Sequence, residues 1–335
     1  MSEEAPWRQV AEIMKARAWR GADAAPESSW RYPLPLGCMG ALLELARALA
    51  SGPAPLVETR LADSDRRAWS GDFARVADAL EDGRGFAIVH ASSEERLPLE
   101  IQHALYWVVG QILGEPVEQN VAGVRLYDVR DTGQSLSEGA RFSVTNYEST
   151  FHTDASFEDG VVDYAGLLCV QTAKLGGLSQ LVSGYSAAAE LTLAYPAAIE
   201  VLMQTFHVDR RGGVRPGETP TTQRPVLARR DNEIVYRYLR KWIEAGHQKV
   251  GLSLTSDQLR ALDALDETLE RDELRVEFML RPGDMLFINN RWLLHNRTAF
   301  EDHAAPAQRR HYVRLWLHRR EEHVAGASSG SGNPS

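Results

Sequence analysis

The pattern of polar and apolar positions changes period several times along this chain. Residues 70–82 carry apolar side chains at helical spacing, and Gly83 supplies a stop. Gly85 to His90 (Gly-Phe-Ala-Ile-Val-His) then predicts a buried strand. A helix is predicted over 95–113, closed by Gly114, and residues 124–129 alternate as a strand with one wet face. Beyond residue 160 strands dominate, at 164–172, 178–183, 224–229, 233–238, 275–280, 284–289 and 311–317. The segment Arg230-Asp231-Asn232-Glu233 reads as a hairpin turn, and Pro282-Gly283-Asp284 as a second turn feeding Met285 to Ile288. Two helices interrupt the series. One spans 186–204 with Ser186 as its N-cap, and the other spans 255–271, opened by Thr255-Ser256-Asp257.

Many short strands separated by turns predict a mostly β protein with flanking helices. Its core would be a β-sandwich or jelly roll (a double-stranded β-helix). The 184–274 stretch becomes a helical insertion covering one end of it. Residues 1–69 form an N-terminal extension packed on a single domain over 70–322, and 323–335, rich in Gly and Ser, form a disordered tail. No internal repeat is visible. A chain of 335 residues, 44% hydrophobic and 25% charged, can bury a sizeable core.

Charge and cysteine content narrow the function classes. A formal net charge of −9 argues against nucleic acid as the main partner, since binding phosphate backbones needs a basic surface. The two cysteines, Cys38 and Cys169, exclude a disulfide framework and read as buried free thiols in a reducing compartment. The N-terminus lacks the basic-then-apolar layout of a signal peptide. No apolar run approaches the roughly 20 residues that span a bilayer. The expectation is a cytoplasmic protein acting on a small molecule without membrane contact; the sequence leaves open a homo-oligomer.

Candidate chemistry sits in three side chains. His152 and Asp154 occupy Phe-His-Thr-Asp, and period-two alternation puts both on one face of an extended segment. His295, in Leu-Leu-His-Asn-Arg, follows the strand predicted at 284–289. Two histidines and one carboxylate suit a mononuclear non-haem iron(II) site that leaves three positions open; a catalytic zinc site takes similar ligands. A His-X-Asp pair alone is common by chance, so the companions matter. Arg310 and Arg314 share one face of Arg-His-Tyr-Val-Arg, with His311 on the other. An arginine aimed into a pocket is costly unless it meets an anion, and bidentate carboxylate pairing is the functional alternative to two surface arginines. His90, His103, His207 and His247 have no ligand-like spacing to the triad and read as packing or surface groups. Trp107, Trp242, Trp292 and Trp316 read as packing anchors, and Arg297 and Asp302 as a pair shaping the loop after His295.

The segment Thr145 to Asp154 (Thr-Asn-Tyr-Glu-Ser-Thr-Phe-His-Thr-Asp) resembles the metal-binding segment of the TauD/TfdA-type 2-oxoglutarate-dependent dioxygenases, in the clavaminate synthase-like superfamily. So does Pro282 to Asn290 running into Leu294 to Asp302, and so does Arg309 to Leu317. Gly114 to Val117 with Gln119-Asn120 fits the upstream region, and the resemblance covers roughly residues 70–320. It implies that His152, Asp154 and His295 bind Fe(II) and carry catalysis. It also implies that Arg310 and Ser179 (in Gly-Gly-Leu-Ser) hold the distal carboxylate of 2-oxoglutarate. Arg314 matches an arginine that faces an anionic group of the primary substrate in several members. Asn146 and Glu148 fall on a segment that often contacts substrate. The stretch from Ser156 to Asp163 is longer than the usual form.

The implied reaction consumes O2, decarboxylates 2-oxoglutarate to succinate and hydroxylates an unactivated C–H of a small anionic substrate, amino-acid-like or a natural-product intermediate. Desaturation, epoxidation or cyclisation would use the same site. Halogenases of this type replace the carboxylate ligand with a small residue, so Asp154 argues against halogenation. The alternatives are an iron oxygenase that uses no 2-oxoglutarate and a jelly-roll binding protein with a vestigial site.

Overall fold

A computed structural model describes residues 16–91, 96–134, 141–158, 160–211, 213–230 and 233–320; the tail expected at 323–335 and the hairpin tip at 231–232 lie outside these. Eight α-helices run in chain order among the described residues: α1 (Leu36–Ser51), α2 (Asp63–Ser70), α3 (Ala74–Glu81), α4 (Leu99–Leu113), α5 (Gly184–Ala194), α6 (Pro196–Leu202), α7 (Arg240–Lys249) and α8 (Ser256–Leu269). The first eight strands are β1 (Arg31–Pro33), β2 (Phe86–His90), β3 (Glu115–Val117), β4 (Leu126–Val129), β5 (Tyr164–Gln171), β6 (Leu175–Gly176), β7 (Ser179–Ser183) and β8 (Thr205–Asp209). The others are β9 (Thr221–Pro225), β10 (Leu227–Arg230), β11 (Glu233–Tyr236), β12 (Arg275–Phe278), β13 (Met285–Asn289), β14 (Leu293–Arg297), β15 (Phe300–Glu301) and β16 (His311–His318).

The major sheet orders its strands β1-β2-β13-β5-β16-β3, with β4 also beside β16. Only its β1–β2 pairing is parallel. The minor sheet is β12-β7-β14, antiparallel throughout. Strand alternation explains where the two cores sit. On β13, Leu286 and Ile288 pack in one core with Leu181, Val182, Leu293 and Leu294 of the minor sheet. Met285 and Phe287 point the other way, into a second core with Leu42 of α1 and Trp107 of α4. Both faces of the major sheet are therefore covered, and its central strands β2, β13 and β5 read as near-continuous apolar runs rather than alternating ones. The result is a mixed, strand-rich α and β architecture.

Several expectations shift in detail. The helix predicted over 186–204 is two helices, because Pro196 cannot continue α5 and instead opens α6. Its cap is Ser183, whose hydroxyl accepts from the Ser186 amide; the Ser186 hydroxyl donates to the Trp19 carbonyl. The α8 start agrees with the expected Thr255 cap, reinforced by Gln258 in a capping box. Strands β10 and β11 pair as the predicted hairpin, Leu227 opposite Tyr236 and Arg230 opposite Glu233. Helices α1 and α7 and strand β14 are not anticipated by the sequence pattern. Both cysteines are free and buried, as expected, and burial pushes each thiol up to about 12.

The turn joining β13 of one sheet to β14 of the other is polar yet buried. Asn289 donates to the Leu80 carbonyl at 3.0 Å. Arg291 reaches Glu81 at 2.7 Å, Asp163 at 3.1 Å and Glu233 at 3.1 Å, tying the end of α3, the approach to β5 and the start of β11 to one guanidinium. Arg17 adds a 3.0 Å contact to Glu233, and Arg319 one of 3.2 Å to Glu81. Burial raises the Glu81 carboxyl, but Arg291, Tyr164 and Arg319 outweigh it and hold it below the usual range.

Arg291→Met should lower stability by up to about 3–5 kcal/mol, because it removes the one cation shared by three partly buried carboxylates. Urea denaturation monitored by circular dichroism reads this directly. Glu81 and Asp163 have depressed folded values. The network's contribution is therefore complete at neutral pH and lost as pH falls through the carboxylate range, so the gap between wild type and variant should close in acid.

Candidate active site

The inner faces of the two sheets bound one cavity. Leu167 of β5, Leu286 and Ile288 of β13, Ser179 and Leu181 of β7, and His295 of β14 all line it. The segment carrying His152 and Asp154 is an irregular loop rather than the regularly extended segment expected. Thr150 (φ 59°) and Ala155 (φ 54°) adopt left-handed backbone on either side of the pair. What holds the loop is a two-way backbone bridge: the His152 amide donates to the His295 carbonyl at 3.0 Å, and the His295 amide donates back at 2.9 Å. Asn290 clamps the next residues. Its Oδ1 accepts from the Asp154 amide at 2.7 Å, while its Nδ2 donates to the Asp154 and Val162 carbonyls.

This arrangement brings the three expected ligands together. One ligand atom from each of His152, Asp154 and His295 lies within 4.8 Å of the others. His152 Nε2 is 3.9 Å from Asp154 Oδ1, and the two imidazole rings are 4.2 Å apart at their centroids. The Thr150 carbonyl lies 2.9 Å from His152 Nδ1, which keeps the proton on that nitrogen and leaves Nε2 as the donor atom. Burial pushes both imidazoles down, His295 to about 3, so both are neutral at physiological pH. Burial pushes Asp154 up, but the Arg314 charge, with the Trp316 hydrogen bond, outweighs it and keeps the carboxyl ionised. Two neutral imidazoles and one carboxylate form the donor set of a non-haem iron(II) centre, so the residues fit the metal.

Arg314 donates from Nη1 to Asp154 Oδ1 at 3.0 Å and from Nε to Gln119 Oε1 at 2.8 Å. Trp316 donates from Nε1 to Asp154 Oδ2 at 2.8 Å. Each carboxylate oxygen offers more than one lone pair, so these bonds orient Asp154 and still leave room for a metal. Arg314, expected to face a substrate anion, lines the cavity, and β16 also directs its Nη1 onto the Asp154 carboxylate. Trp316 is missed by the sequence reading, although it shares the period-two face of Arg314.

Arg310 is buried just before β16, with Nε and Nη1 lacking any hydrogen-bond partner. Its guanidinium stacks 3.8 Å from the Tyr312 ring centroid, and its amide donates to Asp302. Gly177, at φ +74°, lies against it; a Cβ there would come within 3.4 Å of Arg310 Nε. Burial pushes Arg310 down, a penalty that an incoming carboxylate would remove. Ser179, first residue of β7, lines the same cavity. An orphaned buried guanidinium beside a hydroxyl-lined wall fits the distal carboxylate of 2-oxoglutarate.

The other expected residues fall elsewhere. Asn146 and Glu148 are exposed and do not line the cavity; Glu148 accepts from Asn296 Nδ2 at 2.6 Å, so it reaches the cavity only through that amide. The bend at Thr150 separates them from the ligand pair. Arg297 does not pair with Asp302; it donates to the Thr145 and Tyr147 carbonyls and lines the cavity, with burial pushing it down to about 9. His311 meets Asp128 outside the cavity, as its strand parity predicts. Trp242 lines the cavity as well.

Removing the indole donor with Trp316→Phe should weaken iron(II) binding by about tenfold or more, read by anaerobic titration, with little change in the melting of the metal-free protein. Arg314→Gln removes the charge that offsets burial at Asp154. Its carboxyl pKa should rise, and iron(II) affinity should fall as the pH is lowered toward about 5 while wild type holds its affinity.

Residues 52–316 match the family model described as taurine catabolism dioxygenase TauD, TfdA family. FR-33289 synthase of Streptomyces rubellomurinus is 29% identical over 309 residues, covering 89% of this chain and 88% of that protein. A uridine-5'-phosphate dioxygenase of an Amycolatopsis species is 32% identical over 170 residues, 49% of this chain and 58% of its own length. Among solved structures, asparagine oxygenase with Fe(II), 3-hydroxyasparagine and succinate superposes with a TM-score of 0.64 at 17% identity, covering 90% of this chain and 98% of that one. The non-haem iron oxygenase OrfP with Fe and alpha-ketoglutaric acid gives 0.63 at 18%, with the same coverage. The chain belongs to the TauD/TfdA family and is an iron(II)/2-oxoglutarate-dependent dioxygenase.

Proposed function

We propose that this dioxygenase hydroxylates an unactivated C–H bond of a small anionic substrate, amino-acid-like or derived from a natural product, while 2-oxoglutarate is decarboxylated to succinate. The observation that carries the reading is the coexistence in one cavity of the His152–Asp154–His295 cluster and the buried Arg310 guanidinium, whose Nε and Nη1 lack hydrogen-bond partners. A metal oxygenase without 2-oxoglutarate, or a catalytic zinc site, has no need of that buried cation. Of the proteins named above, asparagine oxygenase is named for an amino acid and the Amycolatopsis enzyme for uridine-5'-phosphate, a small anion, which supports the substrate class. A jelly-roll core is the arrangement we infer for the two sheets, with 184–274 as an insertion closing one end. That inference rests on Leu239, Lys241 and Trp242 reaching the cavity from this stretch.

Each residue has a distinct task. Iron(II), when bound, supplies the oxidising chemistry with O2, and the protein supplies position and dry walls. His152 is fixed through Thr150, and Asp154 through Arg314 and Trp316, so both present their donor atoms without reorganising. Arg310 and Ser179 hold the far end of 2-oxoglutarate and so set how deeply the co-substrate sits. Leu167, Leu181, Leu286 and Ile288 exclude water from the reacting C–H bond. Asp154 occupies the position that a halide would need, so hydroxylation rather than halogenation is expected.

Anaerobic addition of iron(II) and 2-oxoglutarate to the metal-free protein should produce the weak visible absorbance of a 2-oxoglutarate chelate before any substrate is present. His152→Ala should abolish it, and Arg310→Ala should raise the 2-oxoglutarate concentration needed by at least about tenfold. Iron binding without the absorbance would overturn the co-substrate assignment.

A further inference from the structure

The cavity carries more positive charge than the reaction uses. Among the described residues lining it, six cationic side chains (Arg141, Arg211, Lys241, Arg297, Arg310 and Arg314) face one carboxylate, Asp154. Three have roles assigned above. Arg310 is assigned to 2-oxoglutarate, Arg314 is bound to Asp154 and Gln119, and Arg297 is bound to backbone carbonyls. The remaining three come from separate parts of the chain. Arg141 precedes the short 3-10 turn at Phe142–Val144, Arg211 follows β8, and Lys241 lies in the first turn of α7.

Arg211 has a partner of its own, whereas Arg141 and Lys241 meet no carboxylate among the described residues. Arg141 donates from Nη2 to the Arg211 carbonyl at 3.0 Å, which pins the two segments together. No described carboxylate forms an ion pair with Arg141 or Lys241; Lys241 Nζ instead sits 4.8 Å from the Phe142 ring centroid. Arg211 lies 3.8 Å from Asp209, a carboxylate that Lys249 already holds at 2.6 Å. Arg141 is pushed down by burial and by repulsion from Arg314 and Arg211, which Tyr127 offsets only in part. Helix α7 begins at this wall, with Leu239 as an N-cap that supplies no side-chain acceptor, so the positive end of its dipole adds to the field. Clustered like charges in a partly desolvated site are costly unless an anion joins them.

Resting on the proposed hydroxylase reading, we propose that Arg141, Arg211 and Lys241 form a subsite for a phosphoryl dianion, so that the primary substrate is a phosphate ester or a phosphonate. Three cations match the charge and tetrahedral shape of a dianion better than those of a single carboxylate. Phe157 and Trp242, with rings 5.4 Å apart, line the same cavity and supply an apolar wall for the substrate body.

Calorimetry tests this on the full-length protein loaded with iron(II) and saturating 2-oxoglutarate under anaerobic conditions. The probes are phenyl phosphate, benzylphosphonate and the monoanion phenyl sulfate. Both dianions should bind at least about tenfold more tightly than phenyl sulfate, and a preference between them identifies ester or phosphonate. Arg141→Gln and Lys241→Gln should each weaken dianion binding by about tenfold, and Lys241→Arg should restore most of it. The visible 2-oxoglutarate absorbance serves as the control for an assembled site. If it forms in wild type and variants but the dianions bind no better than phenyl sulfate, or the Gln variants bind them as wild type does, the phosphoryl subsite is overturned and the hydroxylase reading stands. If it never forms in wild type, the hydroxylase reading itself fails.

Discussion

The site depends on two reciprocal backbone hydrogen bonds between His152 and His295. They fasten an irregular loop to strand β14 and so help to hold Asp154 beneath β16. Every further fixture acts on a segment that this bridge has already placed. Asn290 holds the Asp154 backbone, while Arg314 and Trp316 hold its carboxylate from the opposite sheet. Ligand geometry is thereby defined from both sheets at once, and a metal entering it has little reorganisation left to drive.

Buried charge is organised in two ways. Around Arg291, outside the cavity, one guanidinium is matched by Glu81, Asp163 and Glu233, and the network joins distant segments. Inside the cavity the balance is left incomplete. Arg310 keeps unpartnered nitrogens, and Arg141 and Lys241 lack carboxylates among the described residues. The first arrangement stabilises the fold, and the second leaves an electrostatic demand that 2-oxoglutarate and the proposed anionic substrate would satisfy. A chain of net negative charge thus concentrates cations where its small-molecule ligands bind.

Much of the site was legible in the sequence because its residues sit in local patterns. His-X-Asp, the histidine before Asn296-Arg297, and the Arg310–Arg314 spacing are each short-range features. The apolar runs of β2, β5, β7, β13 and β16 likewise announce themselves, since their neighbours bury both faces or one. Pro196 marked a break that periodicity overrode, and β14 was hidden because its five residues lack alternation and carry three polar side chains. Helix α1 was passed over, although its apolar face packs on α4.

The covalent sequence determines which donor atoms exist and which of them share a strand face, because side-chain alternation is a local consequence of backbone geometry. It does not determine what those atoms meet. Arg314 reads as a substrate contact, and its bond to the Asp154 carboxylate appears only when β16 is laid beside the Asp154 loop. Asn146 and Glu148, four to eight residues from the ligand pair, end outside the cavity because one left-handed residue turns the chain. Arg141, Arg211 and Lys241 carry no common motif and come together only when three distant segments pack around one space. Such proximity arises from long-range packing, and no local spacing rule encodes it.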